Sequence, residues 1–463
     1  MITPYYQDDS VTLHHGDCLD MLRADDYGYD WNLGYRSARM FPDNSVDAVI
    51  TDPPYGIAFM GKAWDQPGEF GSERRNGSPQ RTQREGLAMD AGRYDLSPAA
   101  MLNFQRWCTA WATECLRILK PGGHLLAFGG SRTWHRLATA IEDAGFEIRD
   151  SIAWLYGSGF PKSMNLPGGL GTALKPAFEP IVVARKPLSG AVAANVLEHG
   201  TGALNIDACR IPTGDKLGGG STTRGQRMKY GWHRPWMDDP DMVAANAERS
   251  RASVARSEEL GRWPTNVVLD EHQAEVLDRQ SGVTRDGVAV QRRGGGQQIF
   301  GHGDGMTRPD QGYGGEGGAS RFFPVFNGRD GEASAEQRYT DNGGTSFSLK
   351  PGARRDVATS PSEYFPTFRY EAKAPTSERP NVDGVQHPTV KPLDLMRWLV
   401  RLVTPVGAVV LEPFAGSGTT AEACVLEDRQ CIAVEREADY LPLIVSRLRK
   451  PVQQGLFGLE AGA

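Results

Sequence analysis

Short apolar strands alternate with helices in this chain as far as about Lys186, and the alternation resumes only at Pro388. That interruption constrains the fold more than any other feature. Alternation of this kind builds a largely parallel sheet covered by helices, with right-handed crossovers. One sheet must therefore be assembled from two separated blocks of chain. The first block predicts strands over 11–15, 46–51, 124–128, 146–155 and 178–184. Its helices are a turn around Leu19 to Leu22, a long helix over 98–120 and one over 132–144. Pro98 suits a first turn, Pro121-Gly122-Gly123 is a stop, and Gly145 ends the third helix. The second block predicts helices over 393–403, 419–427 and 438–449, with strands over 408–411 and 430–434.

From about Lys186 to Phe368 the alternation is lost. Gly-rich tracts such as Gly294-Gly295-Gly296 occur there, and only 271–280 is expected to be helical. So long an irregular stretch is usually functional or disordered, and it reads as a large insertion with folded parts. The expected organisation is a first core segment over 1–185, an insertion over 186–384, a second core segment over 385–450 and a tail over 451–463.

With 463 residues the chain is long enough for a large core and for more than one domain. Its 39% hydrophobic and 23% charged residues read as soluble and globular, not wholly disordered. A formal net charge of -6 gives no global attraction to nucleic acid, although a local basic face would still supply it. The six cysteines are scattered, with no C-x-x-C pair and no zinc spacing, so reduced thiols in a cytoplasmic protein and no metal are expected. The polar, acidic N-terminus is no signal peptide. No apolar run approaches the roughly 20 residues that a membrane span needs.

Two motifs sit at the ends of predicted strands. Asp52-Pro53-Pro54-Tyr55 follows Val46 to Thr51. A carboxylate on a rigid Pro-Pro backbone accepts hydrogen bonds from an amino group, and a tyrosine stacks on a flat base. The competing reading is a strand-terminating turn, for which Asp-Pro-Pro is good chemistry. Phe414-Ala415-Gly416-Ser417-Gly418 follows the strand over 408–411, and a Gly-rich turn between strand and helix lets backbone approach a ligand closely. The next strand ends at Glu435, about 20 residues on, where an acid binds ribose hydroxyls in dinucleotide folds. The run after Gly416 departs from G-x-G-x-x-G, which shifts weight from NAD to another adenosine cofactor.

In these motifs the chain resembles the β class of S-adenosylmethionine-dependent DNA amino-methyltransferases, in which the catalytic motif comes first, the recognition region lies in the middle and the cofactor motif comes last. Leu411-Glu412-Pro413-Phe414-Ala415-Gly416-Ser417-Gly418-Thr419-Thr420 matches the cofactor motif, with Glu412 where the family usually has Asp. His387-Pro388-Thr389-Val390-Lys391-Pro392 matches the motif before it, and the resemblance implies that Thr389 and Lys391 contact the methionine end. Gly16-Asp17 resembles the segment that contacts the cofactor adenine, although Asp17 also reads as a helix N-cap. Lys62-Ala63-Trp64-Asp65 also fits the family. The resemblance covers roughly residues 9 to 185 and 385 to 450. It implies a circularly permuted, Rossmann-like sheet: a standard order of cofactor loop, ribose acid, adenine acid and catalytic motif, cut between the second and third strands.

The implied catalytic group is Asp52, Pro53, Pro54 and Tyr55. The implied cofactor group is Asp17, Thr389, Lys391, Glu412, Phe414, Gly416, Ser417, Gly418 and Glu435. The implied activity is site-specific methylation of adenine N6 by base flipping in double-stranded DNA, as in restriction–modification systems. Cytosine N4 is the alternative substrate, and a DNA-binding protein with an inactive core is the alternative of another class. A bacterial or phage-infected cytoplasm is the expected setting, and family members are often homodimers. In the insertion, Lys216, Arg224, Arg227, Lys229 and Arg234 interleave with Tyr230, Trp232 and Trp236, which suits phosphate contact and base stacking. A solvated loop competes with that reading, because Asp238, Asp239 and Asp241 follow at once. Arg74, Arg75, Arg81 and Arg84 form a second basic run, and Arg292-Arg293 a third.

Overall fold

A computed structural model describes residues 3–30, 34–57, 65, 96–156, 165–213, 238–285, 316–317, 319–323, 325–326 and 378–450. The chain divides into two compact units, one of Met1–Asn205 with Phe326–Ala463 and one of Ile206–Val325.

The strands of the first unit's main sheet are β1 (Tyr6–Gln7), β2 (Val11–His15), β3 (Val46–Thr51), β4 (Leu119–Phe128), β5 (Glu147–Leu155), β6 (Phe178–Arg185), β7 (Val409–Glu412) and β8 (Gln430–Glu435). They lie side by side in the order β1-β2-β8-β7-β3-β4-β6-β5. From β2 to β4 every pairing is parallel, whereas β6 runs antiparallel to both β4 and β5. The two late strands, β7 and β8, thus insert between the early strands β2 and β3. The fold is α/β, and its order along the chain is the permuted one expected.

Burial explains why these segments are strands. All six residues of β3 are buried, as a central parallel strand requires. One of them is Asp47, a charge that would be costly without partners. Lys120 Nζ lies 2.5 Å from one of its oxygens, and Val409 N donates to the other at 2.8 Å, which joins the two chain blocks.

The helices are α1 (Cys18–Arg23), α2 (Pro98–Ile118), α3 (Trp134–Asp143), α4 (Val192–His199), α5 (Leu393–Val403), α6 (Thr419–Leu426) and α7 (Leu441–Leu448). Helix α2 opens on Ser97, whose hydroxyl accepts from Ala100 N, with Pro98 in the first turn. It buries Met101, Phe104, Cys108, Trp111, Cys115 and Ile118, a helical spacing that makes one apolar stripe. Each such side chain contributes about 1.5–3 kcal/mol when fully buried. Helix α5 buries Leu395, Met396, Leu399, Val400 and Val403.

Several expectations are revised. The helix over 98–120 stops at Ile118, and β4 begins at Leu119, carrying Pro121-Gly122-Gly123 within it. Its pairing with β3 shifts register between Val46 and Ala48, so the Pro-Gly-Gly run makes an irregularity in a strand. Gly122 has φ +79°, and a Cβ there would lie 2.5 Å from Asn195 Nδ2. The helix expected over 438–449 is a 3-10 turn, Ala438–Tyr440, followed by α7. An antiparallel hairpin of Asp25–Asp30 and Gly34–Arg39 was not foreseen.

In the second unit, helices span Pro240–Leu260 and Glu271–Ser281, and Val267–Asp270 is a strand. Sequence reading missed the first of these helices, as it missed α4. Pro240–Leu260 has no buried residue, so no apolar stripe betrays its period. Its start signal was present: Asp239 accepts from Asp241 N at 2.9 Å and Met242 N at 3.2 Å, with Pro240 in the first turn. One of the acids that seemed to oppose a basic cluster, Asp239, therefore caps a helix.

Candidate active site

Parallel order brings the carboxyl ends of β2, β8, β7 and β3 side by side, which is where open α/β sheets bind ligands. Asp17 follows β2, Glu435 ends β8, Glu412 ends β7 and Asp52 follows β3.

The turn from β7 to α6 is shaped by two glycines. Gly416 and Gly418 have φ of +53° and +78°. A Cβ on Gly418 would lie 2.9 Å from Ile444 Cγ2, and one on Gly416 would lie 3.2 Å from His387 Nε2. Side chains at either position would thus be strained and crowded. Ala415 N donates to Val434 O at 2.9 Å, and Gly416 N donates to Glu435 Oε2 at 2.6 Å. Ser417 is buried with its Oγ 3.0 Å from Thr419 Oγ1, and its carbonyl accepts from Arg447 Nε at 2.9 Å. The Phe414 ring packs tilted against Trp107 and edge-on against Trp111 of α2.

Acids surround this turn. The other oxygen of Glu435 accepts from Glu437 N at 2.7 Å, and burial raises its carboxyl to about 7. Glu412 is buried and accepts from Thr51 Oγ1 at 2.5 Å, Thr420 Oγ1 at 2.6 Å and Phe414 N at 3.0 Å. Burial outweighs those hydrogen bonds and raises it to about 8. Asp17 caps α1 through Leu19 N at 2.9 Å and remains partly exposed. Its neighbour Gly16 donates to Glu435 O at 3.0 Å, so Asp17 lies beside the end of β8.

A second cluster forms around Asp52. Pro53 is buried, while Asp52 and Tyr55 are partly exposed. Tyr55 Oη lies 2.9 Å from Asp52 Oδ1 and 3.3 Å from Glu179 Oε2. Burial first, then the Asp52 carboxylate, pushes this phenol well above its usual range, so it is a donor at neutral pH. Lys391 Nζ is hydrogen-bonded to Asp52 Oδ2 and lies 3.4 Å from Tyr55 Oη and 3.7 Å from Glu179 Oε2. It also stands 4.8 Å over the Phe128 ring. Gly130 adjoins Tyr55, since a Cβ there would lie 3.0 Å from the ring. Downstream, buried Asp65 accepts from Gly56 N at 2.7 Å and Ile57 N at 3.3 Å, holding the chain that leaves the motif.

The structure brings Asp52, Tyr55 and Lys391 together, and separately Asp17, Glu435 and the Gly416–Gly418 turn. Glu412 links the two groups through Thr51, the residue before Asp52. Thr389 sits beside the turn by way of His387, whose Nδ1 lies 2.6 Å from Thr389 O. Glu179, Thr51, Phe128 and Thr420 were not singled out in the sequence. A usable signal existed for Glu179, the one acid in strand β6, which is otherwise apolar as far as its terminal Arg185. Lys62, Ala63 and Trp64 and the three basic runs lie outside the described residues. Among the described residues, no group of three or more His, Cys, Asp or Glu is placed to hold a metal ion. No helix among them is long and apolar enough to cross a membrane.

The site's chemistry suits an adenosine-bearing cofactor: a close backbone turn that side chains would fill, with acids at the ends of two successive strands. It also suits an amino group, since Asp52 presents acceptor oxygens at the end of the next strand.

A family model described as DNA methylase, N6_N4_Mtase, matches residues 46–446. The chain is 25% identical over 185 residues to the type II methyltransferase M.HindIII of Haemophilus influenzae, an alignment covering 35% of this chain and 59% of that protein. Against the crystal structure of PvuII DNA methyltransferase (cytosine-N4-specific), identity is 12% and the TM-score 0.42, over 97% of this chain and 90% of that one. Against the M1.HpyAVI–SAM complex they are 13% and 0.36, over 95% and 100%. Of three curated relatives, the chain spans 59%, 31% and 21% of their own lengths.

Proposed function

We propose, on the premise that this chain belongs to the DNA methylase family, that it methylates the N6 amino group of an adenine flipped out of double-stranded DNA. Membership rests on a match over most of its length. The observation that carries the proposal is the placement of the Asp52–Tyr55 cluster one strand away from the Gly416–Gly418 turn, on one sheet edge.

S-adenosylmethionine, when bound, supplies an electrophilic methyl group on a sulfonium. Glu435 would hold its ribose, the segment at Asp17 its adenine, and the turn Phe414, Gly416, Ser417 and Gly418 its backbone-facing side. Glu412, Thr389 and Lys391 would stand toward the methionine end. Tyr55 would stack on the extruded base. Its phenol is anchored on Asp52, which fixes the ring while leaving the residue partly exposed. Asp52 and the Pro53 carbonyl accept from the amino hydrogens, directing the nitrogen lone pair at the methyl. As the carbon–sulfur bond breaks and the carbon–nitrogen bond forms, the nitrogen would become positive, and one of its protons would pass to a carboxylate oxygen of Asp52. Proximity and orientation supply most of the rate.

Adenine is preferred to cytosine on the Asp at position 52, where cytosine-N4 enzymes more often carry Ser. The insertion over 186–384 is proposed as the region that selects the target sequence. The test is transfer of a labelled methyl from S-adenosylmethionine to unmethylated DNA, followed by nucleoside analysis. N6-methyladenine is the expected product, and N4-methylcytosine would move the substrate while keeping the machinery. Asp52→Ala is expected to lower transfer by about 100-fold or more, with cofactor binding retained. Near-normal transfer by that variant would refute the role given to Asp52.

A further inference from the structure

Asp52 has no oxygen left to itself. The Lys391 ammonium is bonded to Oδ2, and the Tyr55 phenol lies 2.9 Å from Oδ1. An ammonium held on the acceptor is the wrong neighbour for a nitrogen about to become positive: it occupies an oxygen that the amine needs and repels the developing charge. Lys391 cannot simply leave, because it is only 7% exposed and an unpaired buried ammonium is strongly disfavoured. The one other carboxylate with which it pairs among the described residues is Glu179, 3.7 Å away and 5% exposed. Glu179 Oε2 also lies 3.3 Å from Tyr55 Oη, so it faces the same two donors as Asp52 does.

We propose that Glu179 is a positioning residue that takes Lys391 from Asp52 when the target amine arrives. The inference rests on the proposed amino-methyl transfer and adds to it a residue with a defined task. In the ligand-free arrangement Lys391 neutralises the acceptor. When the base enters, a small rotation of the lysine side chain exchanges one carboxylate for the other. Asp52 then meets the amine unmasked, and the ammonium stays paired and buried. Glu179 suits the task because its backbone is held in β6, where it pairs with Trp154 of β5. The phenyl face of Phe128 stabilises the cation in either position.

The titratable groups around this exchange are Asp52, Tyr55, Glu179 and Lys391, with Asp65 and Tyr156 acting on Tyr55, and Glu412 standing near Asp52. Glu179→Gln keeps the shape and removes the charge, so Lys391 loses the second carboxylate with which it pairs in the structure. The experiment uses the full chain, labelled S-adenosylmethionine and unmethylated phage DNA, in single-turnover rates at neutral pH. Near neutrality the variant is expected to be slower by about 100-fold. Calorimetric affinity for S-adenosylmethionine should be unchanged. Glu179→Asp, which retains the charge, should recover most of the rate and covers the case in which Glu179→Gln does not fold. Wild-type rates in Glu179→Gln, or Glu179→Asp as slow as Glu179→Gln, would each overturn the exchange while leaving the methyl-transfer reading standing. Absence of transfer by the wild-type chain would overturn both.

Discussion

At the residue scale the site is a set of buried charges whose neighbours decide their state. Glu412 is the clearest case. Burial raises its carboxyl to about 8, although two hydroxyls and an amide donate to it. A raised folded-state value means that the folded chain binds a proton the unfolded chain has already released. The resulting stability is fully present below the ordinary carboxyl range and is lost progressively as pH rises to about 8. Glu435, raised to about 7, acts in the same direction. Glu412→Gln cannot ionise, so its stability in denaturant titrations should fall less than that of the wild type between mildly acidic and mildly alkaline pH. Equal slopes would show that Glu412 titrates normally. Asp52 and Tyr55 were legible at this scale because their motif is contiguous. Glu179 was not, since its partners are distant in sequence and a single acid in a strand names no partner.

At the element scale, turns and caps position the side chains. Gly418 closes the glycine turn after β7 and caps the start of α6, with a left-handed backbone and Ile444 against it. Gly418→Ala should destabilise the protein by about 1–3 kcal/mol, and weaken S-adenosylmethionine binding more than it weakens DNA binding. Thermal unfolding and calorimetry on the same variant separate the two effects, and an unaltered affinity would remove the turn from the cofactor site. Elements with a buried stripe, such as α2 and α5, could be read from their period. Pro240–Leu260 could not be, because no face of it is buried, and β4 was shortened in the reading because Pro-Gly-Gly looks like a stop rather than an irregular strand.

At the scale of the whole molecule, the site exists because late strands insert between early ones. Asp47 bridges Lys120 and Val409, and Thr51 bonds Glu412, so the two blocks are joined by buried polar contacts as well as by the parallel ladder. The second unit, Ile206–Val325, carries none of the proposed catalytic or cofactor residues. Replacing it with a short flexible linker should leave S-adenosylmethionine affinity intact and abolish sequence-selective methylation. Selective methylation by the shortened chain would place target choice elsewhere. The sequence by itself determined the α/β class, the permuted order of motifs and the contiguous groups proposed to carry the chemistry, because hydrophobic period and local turn chemistry are written in neighbouring residues. Only the tertiary structure decided that Lys391 rests on Asp52 with Glu179 in reach, that Glu412 ties β3 to the turn after β7, and which acids are raised by burial. Those facts depend on residues far apart in the chain and on the water that packing excludes between them.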